Sequence, residues 1–179
     1  MKKRFIIFSI LLILLLTTAC SMNTTPTSSV EKVLSKYNTN DEEIVVELDD
    51  YVNNSELTDE QAKKYKEVYL KQFKDMKYEI KDEKIDGDNA TVTVQITVYD
   101  YYNAENKANE YLQNNQDKFK TDDVYDESLF MDYKLKQLSE VNETVDYTLD
   151  FTLTKVKNEW VVNDLTNEQL EKIHGVYAY

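Results

Sequence analysis

The stretch from Thr144 to Leu165 constrains the fold of this chain more than any other, and it reads TVDYTLDFTLTKVKNEWVVNDL. Apolar residues occupy every second position of its first half, with Thr and Asp between them: Val145, Tyr147, Leu149, Phe151 and Leu153. A period of two gives a strand one apolar face and one polar face. Lys157-Asn158-Glu159 then predicts a turn, and Trp160 to Val162 a returning strand. We therefore expect a β-hairpin that is covered on one face only.

A second hairpin is predicted upstream, with Asp86-Gly87-Asp88-Asn89 as its turn, because these residue types tolerate positive φ. Its first strand begins at Tyr78, and a break in the pattern between Glu83 and Ile85 indicates a β-bulge. Its second strand is rich in β-branched residues and is expected to continue through the tyrosines that follow. The residues expected to face inward on it are Val92, Val94, Ile96 and Val98, and the tyrosines are Tyr99, Tyr101 and Tyr102.

Amphipathic helices are predicted around both hairpins. A capping box at Ser28-x-x-Glu31 predicts a helix over residues 29–38, Asn40 is expected to cap a second helix, and Thr58-x-x-Gln61 a third. Helical spacing returns over 103–119 and 126–140, with a linker at 120–123, and a last helical turn over 168–173 is expected to stop at Gly175. Helices with one apolar face need an apolar partner, and the two hairpins offer it.

The first residues have the pattern of an export signal. Lys2, Lys3 and Arg4 precede an apolar run from Phe5 to Leu16. A run of about twelve residues is short for a membrane span, which needs roughly twenty, and has the length of a signal-peptide core.

Cys20 is the only cysteine of the chain, so an intrachain disulfide is excluded. Its place directly after the apolar run resembles the lipobox of bacterial lipoproteins, although Thr17 stands where that motif usually has Leu. The alternative is an ordinary secretory signal that contains a cysteine. Lipidation predicts three parts: a signal peptide (1–19), a lipidated tether (20–27) and a single domain (28–179). The partner of Cys20 would be the cytoplasmic membrane, on its extracytoplasmic face, where attachment by two signals is stable.

Charge and composition exclude several classes of function. The formal charge is −13, and removal of Lys2, Lys3 and Arg4 with the signal makes it −16, which disfavours nucleic acid and anionic lipid as partners. One histidine, His174, excludes a histidine-rich metal site, and we interpret it as a solvent-facing residue. The acidic segment from Asp82 fails the calcium-loop pattern, with Lys84 at position three and Thr93 at position twelve. We predict no metal and no cofactor; a weak cation site at one acidic cluster is the alternative.

Both hairpins resemble a known family. Gly87-Asp88-Asn89-Ala90-Thr91-Val92 matches a "GD-x-A-x-V" hairpin, and Trp160-Val161-Val162-Asn163-Asp164 a "W-x-[IV]-x-D" strand, of NTF2-like domains in small lipoproteins of Gram-positive-type bacteria. The resemblance implies an α+β fold: an NTF2-like cone with a curved antiparallel sheet packed on N-terminal helices. Relatives of this kind include isomerases, dehydratases and non-catalytic binding modules, so the fold alone does not decide the function.

The inward positions of the predicted sheet carry no acidic residue, which favours a non-catalytic binding or accessory module. The alternatives are a cone-pocket enzyme of the isomerase or dehydratase type and a homodimer formed through the Thr-rich sheet face. Six aromatic residues are candidates for an apolar or sugar-like ligand, or else for the core: Tyr65, Tyr69, Phe73, Tyr147, Phe151 and Trp160. Five tyrosines are candidates for exposed contacts with a protein: Tyr99, Tyr101, Tyr102, Tyr177 and Tyr179.

Overall fold

A four-stranded antiparallel sheet, with helices packed on one of its faces, organises the part of the chain that the structure describes, residues 24–179. The structure is a computed structural model. The predicted signal peptide and Cys20 lie outside the described residues. The helices are α1 (Pro26–Thr39), α2 (Glu42–Asn53), α3 (Asp59–Asp75), α4 (Tyr101–Asn114), α5 (Glu127–Glu140) and α6 (Asn167–His174), with a 3₁₀ turn at Gln116–Phe119. The strands are β1 (Lys77–Asp86), β2 (Asn89–Tyr99), β3 (Lys120–Thr121), β4 (Val124–Tyr125), β5 (Thr144–Val156) and β6 (Glu159–Val162).

The two predicted hairpins join in one sheet of order β1-β2-β5-β6. The central pair β2 and β5 places Val92 opposite Phe151 and Val94 opposite Leu149, so the apolar rows of the two hairpins lie on one face. Helix α1 packs on β2 and β6 and contributes Val30 and Leu34, which are fully buried. Val145, also expected to face inward, is partly buried, and the rest of the inner row is buried: Val92, Val94, Ile96, Val98, Tyr147, Leu149, Phe151 and Leu153. The α+β class and the curved antiparallel sheet packed on N-terminal helices are therefore confirmed.

Helix α1 begins earlier than its predicted capping box. Thr25 is the N-cap, and its hydroxyl accepts from the backbone N–H of Ser28 at 3.1 Å while Ser28 Oγ accepts from the N–H of Thr25 at 2.9 Å. Pro26 takes the first helical position, where a missing N–H costs nothing. Pro26 and Thr27 thus belong to the helix rather than to the tether. Asn40, expected as the N-cap of α2, instead ends α1 in the left-handed region (φ 50), and Asp41 caps α2.

Strand β2 ends at Tyr99, and the prediction that it continues through the following tyrosines is wrong. Asp100 accepts from the backbone N–H of Asn103 at 3.0 Å and so caps α4, which takes Tyr101 and Tyr102 into a helix. Tyr101 is buried, with its hydroxyl donating to the carbonyl of Val68 at 3.1 Å, and is not an exposed contact residue.

The bulge of β1 and the segment 120–123 also differ from the prediction. The bulge of β1 lies between Ile80 and Asp82, upstream of the predicted break. The predicted linker at 120–123 holds strand β3 and the turn that joins it to β4, with Asp122 and Asp123 at φ 50 and 64. Asp can adopt this conformation because its short side chain bonds locally.

The C-terminal segment covers the part of the β5 backbone edge that β6 leaves unpaired. Strand β6 pairs only with Leu153–Val156. Beyond it, three donors reach β5 carbonyl groups: the N–H of Asn163 to Thr152 (2.9 Å), Nε2 of Gln169 to Asp150 (3.0 Å) and Nζ of Lys172 to Thr148 (3.3 Å). Such cover keeps a sheet edge from pairing with another chain.

Gln72 is a fully buried polar residue that ties three elements together. Its Oε1 accepts from the N–H of Tyr99 at 2.8 Å, and its Nε2 donates to the carbonyl groups of Tyr99 (3.2 Å) and His174 (2.9 Å). Helix α3, the end of β2 and the end of α6 therefore meet at one side chain. A buried amide is tolerated because both of its ends have partners.

Candidate functional site

The candidate site is a cavity between helices α2, α3, α4 and α5, and the sheet does not line it. Its volume is about 280 Å³, close to the lower end of small-molecule sites. Tyrosine rings, carboxylates and apolar side chains share the wall. The lining residues are Tyr51, Ser55, Glu56, Leu57, Gln61, Tyr65, Tyr69, Glu105, Glu127, Ser128, Met131, Lys134, Leu135 and Leu138.

Three tyrosines form a continuous aromatic part of this wall. Tyr65 and Tyr69 lie one turn apart on α3 with ring centroids 4.5 Å apart, and Tyr51 of α2 stacks on Tyr65 at 4.8 Å. Burial, the largest cause, raises the pKa of both Tyr65 and Tyr69 above the ordinary value. Their hydroxyl groups therefore stay protonated and neutral at physiological pH, and can donate or accept hydrogen bonds.

The charged residues of the cavity are unbalanced. Glu56, Glu105 and Glu127 supply three carboxylates, and Lys134 supplies the one ammonium group among the lining residues. Lys134 Nζ lies 3.9 Å from Glu105 Oε1, so this pair is a loose ion pair at the cavity wall. Glu56 and Glu127, both exposed, have no cationic partner in the lining, whose net formal charge is −2. Such a charge favours a cationic ligand.

Gln61 fixes two of the helices that form the cavity. Its Oε1 accepts from the N–H of Thr58, which completes the predicted capping box of α3. Its Nε2 donates to Asp132 Oδ1 at 2.8 Å and to the carbonyl and hydroxyl groups of Ser128 at 3.0 and 2.9 Å. The first turns of α3 and α5 are thus held together by one buried amide, which fixes the relative position of two helices of the cavity wall.

The structure brings two of the six aromatic candidates, Tyr65 and Tyr69, together at the cavity and places the other four elsewhere. Phe73 and Phe151 are buried in the core. Tyr147 donates its hydroxyl to the carbonyl of Tyr177 at 2.9 Å, and Trp160 lies under Lys155 Nζ, 5.5 Å from its ring centroid.

His174, expected to face solvent, is instead partly buried against α3. Its ring packs against Phe73 and Tyr69, with centroids 5.4 and 5.6 Å apart, because α6 folds back onto α3. Desolvation lowers the pKa of His174 to about 4, so the side chain is neutral at physiological pH. His174 is not among the residues that line the cavity.

Asp100 is a buried carboxylate that the sequence pattern did not single out. One oxygen accepts from the N–H of Asn103 and the other from the hydroxyl of Tyr179 at 2.9 Å. Both oxygens therefore have structural donors, and Asp100 caps a helix rather than serving as a free base. The signal available in the sequence was an Asp three residues before Asn at the start of a helical pattern.

Within residues 24–179, no group of three or more His, Cys, Asp or Glu side chains is placed to hold a metal ion. Over the same residues, no helix has the length and apolar character to cross a bilayer.

Comparisons with known proteins found little. No family model matches the chain, and no curated protein matches it. Among solved structures, it is similar to the ycdA protein of Bacillus subtilis subsp. subtilis str. 168, which is named as a candidate lipoprotein, at 14% identity and a TM-score of 0.43. The match covers 83% of this chain and 47% of that one, so this chain spans about half of the length of its structural neighbour. The NTF2-like resemblance stays a prediction.

Proposed function

We propose that this protein is a lipoprotein, anchored through Cys20 on the extracytoplasmic face of the cytoplasmic membrane, whose folded domain is a non-catalytic binding module. The observation that carries the proposal is the helix-lined cavity, whose wall is fixed by the contacts of Gln61 and carries more carboxylates than ammonium groups. The export pattern of residues 1–20 supports the membrane location. We further propose that the ligand is a small organic cation.

Side-chain packing argues for binding rather than catalysis. The inner face of the sheet, where an isomerase-like pocket would open, is filled by the buried row that runs along β2 and β5. In the helix-lined cavity, Lys134 is paired with Glu105, and the tyrosines keep their protons because burial raises their pKa. This wall is therefore better suited to holding a ligand than to transferring a proton to or from it.

Aromatic faces and carboxylates together suit an organic cation. Ammonium groups are attracted to tyrosine rings by the ring quadrupole, and this attraction grows where water is excluded. The apolar side chains of Met131, Leu135 and Leu138 suit the methyl groups of such a cation. A neutral sugar or a purely apolar ligand would gain nothing from the net negative charge of the wall.

Choline and its uncharged isostere 3,3-dimethylbutan-1-ol test the ligand class. They match in shape and differ by one charge, so calorimetric titration of the purified full chain isolates the electrostatic part of binding. We expect choline to bind at least about tenfold more tightly, which corresponds to roughly 1.4 kcal/mol. Glu105→Gln removes one carboxylate and leaves the Lys134 ammonium group unpaired at the wall, so it should reduce choline binding by a similar factor. Glu79→Gln, on the exposed strand β1, is the matched control and should leave binding unchanged.

Equal binding of the two compounds would contradict the cation proposal, as would an unchanged affinity in Glu105→Gln. Binding of a neutral sugar in preference to choline would support the sugar-like alternative instead.

Replacement of Cys20 tests the anchor. Cys20→Ala removes the thiol that would carry the lipid, so we expect the protein to leave the membrane fraction of expressing cells. The measurement is the partition of the protein between membrane and soluble fractions. Retention of the variant in the membrane fraction would refute lipidation.

A further inference from the structure

One end of the sheet carries the turns of both large hairpins. Asp86 pairs with Asn89 next to the first turn, and Val156 with Glu159 next to the second. Asn89 also lies opposite Thr154, so both turns lie at the same end of the sheet. We call this surface, formed by residues 81–89 and 155–162, the hairpin end.

The chain enters the described part of the structure at the hairpin end. The backbone N–H of Trp160 donates to Thr24 Oγ1 at 3.2 Å, and Ser29 Oγ donates to the carbonyl of Trp160 at 2.7 Å. On the neighbouring hairpin, Glu83 Oε2 accepts from the N–H of Thr27 at 3.0 Å. The first described residues are thus fastened to both hairpins.

The distance to the lipid is limited by chain length. Cys20 and Thr24 are four residues apart, and a fully extended chain spans at most about 14 Å over that separation. The polar head-group region of each leaflet is itself on the order of 5–8 Å thick. A lipid on Cys20 would therefore hold the hairpin end within contact range of the membrane surface.

The side chains of the hairpin end suit such a surface. Ile85, Val156 and Val161 are apolar and each about half exposed. Ile85 lies opposite Ala90 on the helix-covered face, and Val156 and Val161 lie on the other face, so both faces of the hairpin end carry apolar side chains. Four lysines and five carboxylates nearly cancel there, although the mature chain carries −16. This end is therefore repelled by anionic head groups much less than the rest of the surface. The lysines are Lys81, Lys84, Lys155 and Lys157, and the carboxylates are Asp82, Glu83, Asp86, Asp88 and Glu159.

We propose that the hairpin end lies against the phospholipid head groups, with Ile85, Val156 and Val161 in contact with the interface, so that the membrane sets the orientation of the domain. This inference rests on the proposed lipidation of Cys20. The occupant of the surface is the phospholipid bilayer itself.

Trp160 provides the probe, because it is the only tryptophan of the chain and lies at the hairpin end. The full lipidated chain is reconstituted in phosphatidylcholine–phosphatidylglycerol vesicles, with or without lipids whose head groups carry a quencher that acts by energy transfer, because Trp160 is buried and needs no contact for this. We expect the quencher to lower Trp160 fluorescence at least twofold. Insertion of twenty Gly/Ser residues between Met22 and Asn23 should restore most of it, since such a linker has an r.m.s. length of about 25 Å.

A relocated tryptophan is the matched control. In the double variant Trp160→Phe and Tyr125→Trp, the probe moves to β4, which is outside the hairpin end, and we expect little quenching. Sedimentation of the vesicles separates the two proposals. Co-sedimentation with unquenched Trp160 would overturn the orientation alone, whereas loss of co-sedimentation would overturn the anchor and the orientation together.

Discussion

Gly175 shows how a single residue joins the C-terminal helix to the core. It ends α6 in the left-handed region (φ 75), and its carbonyl accepts from the N–H of Tyr102 at 2.8 Å. A Cβ atom at this position would overlap with the carbonyl oxygen of Tyr99 and with Nε2 of Gln72. Glycine is required here for space as well as for backbone conformation.

Gly175→Ala should therefore destabilise the fold strongly. The left-handed conformation costs about 1–2 kcal/mol for a residue with a Cβ, and the overlap adds roughly 1–3 kcal/mol. The measurement is the free energy of unfolding in urea. Gly87→Ala is the matched control, because Gly87 has a similar φ (60) but no heavy atom within 4 Å of its built Cβ. Equal losses in the two variants would show that packing around Gly175 is unimportant.

His174 makes the stability dependent on pH. Its pKa is about 4 in the folded state and about 6.5 when exposed, so the unfolded chain binds the proton more strongly. The contribution of His174 to the free energy of unfolding should be fully present above about pH 6.5. It should be lost as the pH decreases toward 4, by at most roughly 3 kcal/mol. His174→Gln should lack this part of the pH dependence. Urea denaturation of both proteins at pH 7 and 5 isolates the contribution of His174, because the carboxylates contribute equally in the two proteins. An identical change of the free energy of unfolding with pH in both would contradict the role of His174.

At the scale of elements, alternation and helical periodicity were sufficient to predict the sheet and its covering helices. The predicted ends of helices and strands were less accurate, because neighbouring residues often carry competing capping or strand patterns. Thr25 and Ser28 both begin a capping pattern, and the contact of Thr24 with Trp160, distant in sequence, favours the earlier start. Likewise, the tyrosines after Tyr99 favour a strand, but the helix cap at Asp100 prevails.

Only part of the candidate site could be predicted from the sequence, because local patterns do not reveal which elements pack together. Periodicity shows which face of a helix is apolar but not which other element meets it. It placed Tyr65 and Tyr69 on one face of α3, and both line the cavity. The remainder of the wall comes from α2 with the loop that follows it and from α4 and α5, and α5 is held at the site by contacts such as Gln61 with Asp132. These contacts join residues distant in sequence, so the local pattern does not reveal them.

One substitution in the turn of the last hairpin should increase the stability of the fold. Lys157 and Asn158 both have positive φ, 51 and 68, as the tight turn of a two-residue hairpin requires. Asn158→Gly should remove residual strain and raise the free energy of unfolding by about 0.5 kcal/mol. Asn158→Ala should lower it, because alanine tolerates this conformation less well. Chemical denaturation of the three proteins measures both changes, and a loss of stability in the glycine variant would contradict the turn geometry.

At the scale of the whole molecule, excess negative charge is the main electrostatic feature. The formal charge of −13 makes the surface repel itself, and removal of the predicted signal peptide would make it −16. Salt shortens the range of this repulsion, from about 30 Å at 0.01 M to about 8 Å at 0.15 M.

Added salt should therefore stabilise the fold. We expect the thermal midpoint at pH 7 to rise by on the order of a few degrees between 0.01 and 0.15 M NaCl, measured by circular dichroism. The same series near pH 4.5, the sequence pI, is the control, because the net charge is then close to zero and the effect should disappear. A midpoint that falls with salt at pH 7 would mean that attractive ion pairs outweigh the repulsion.

The cover over β5 makes α6 a safeguard against polymerisation. An eight-residue helix is too short to persist alone, so it depends on its caps and on the burial of Ile173. Its transient detachment would free the carbonyl groups of Thr148 and Asp150 for strand addition by a second molecule. A chain that ends at Leu165 should accordingly form extended oligomers under conditions where the intact protein stays monodisperse, and analytical ultracentrifugation would show the difference.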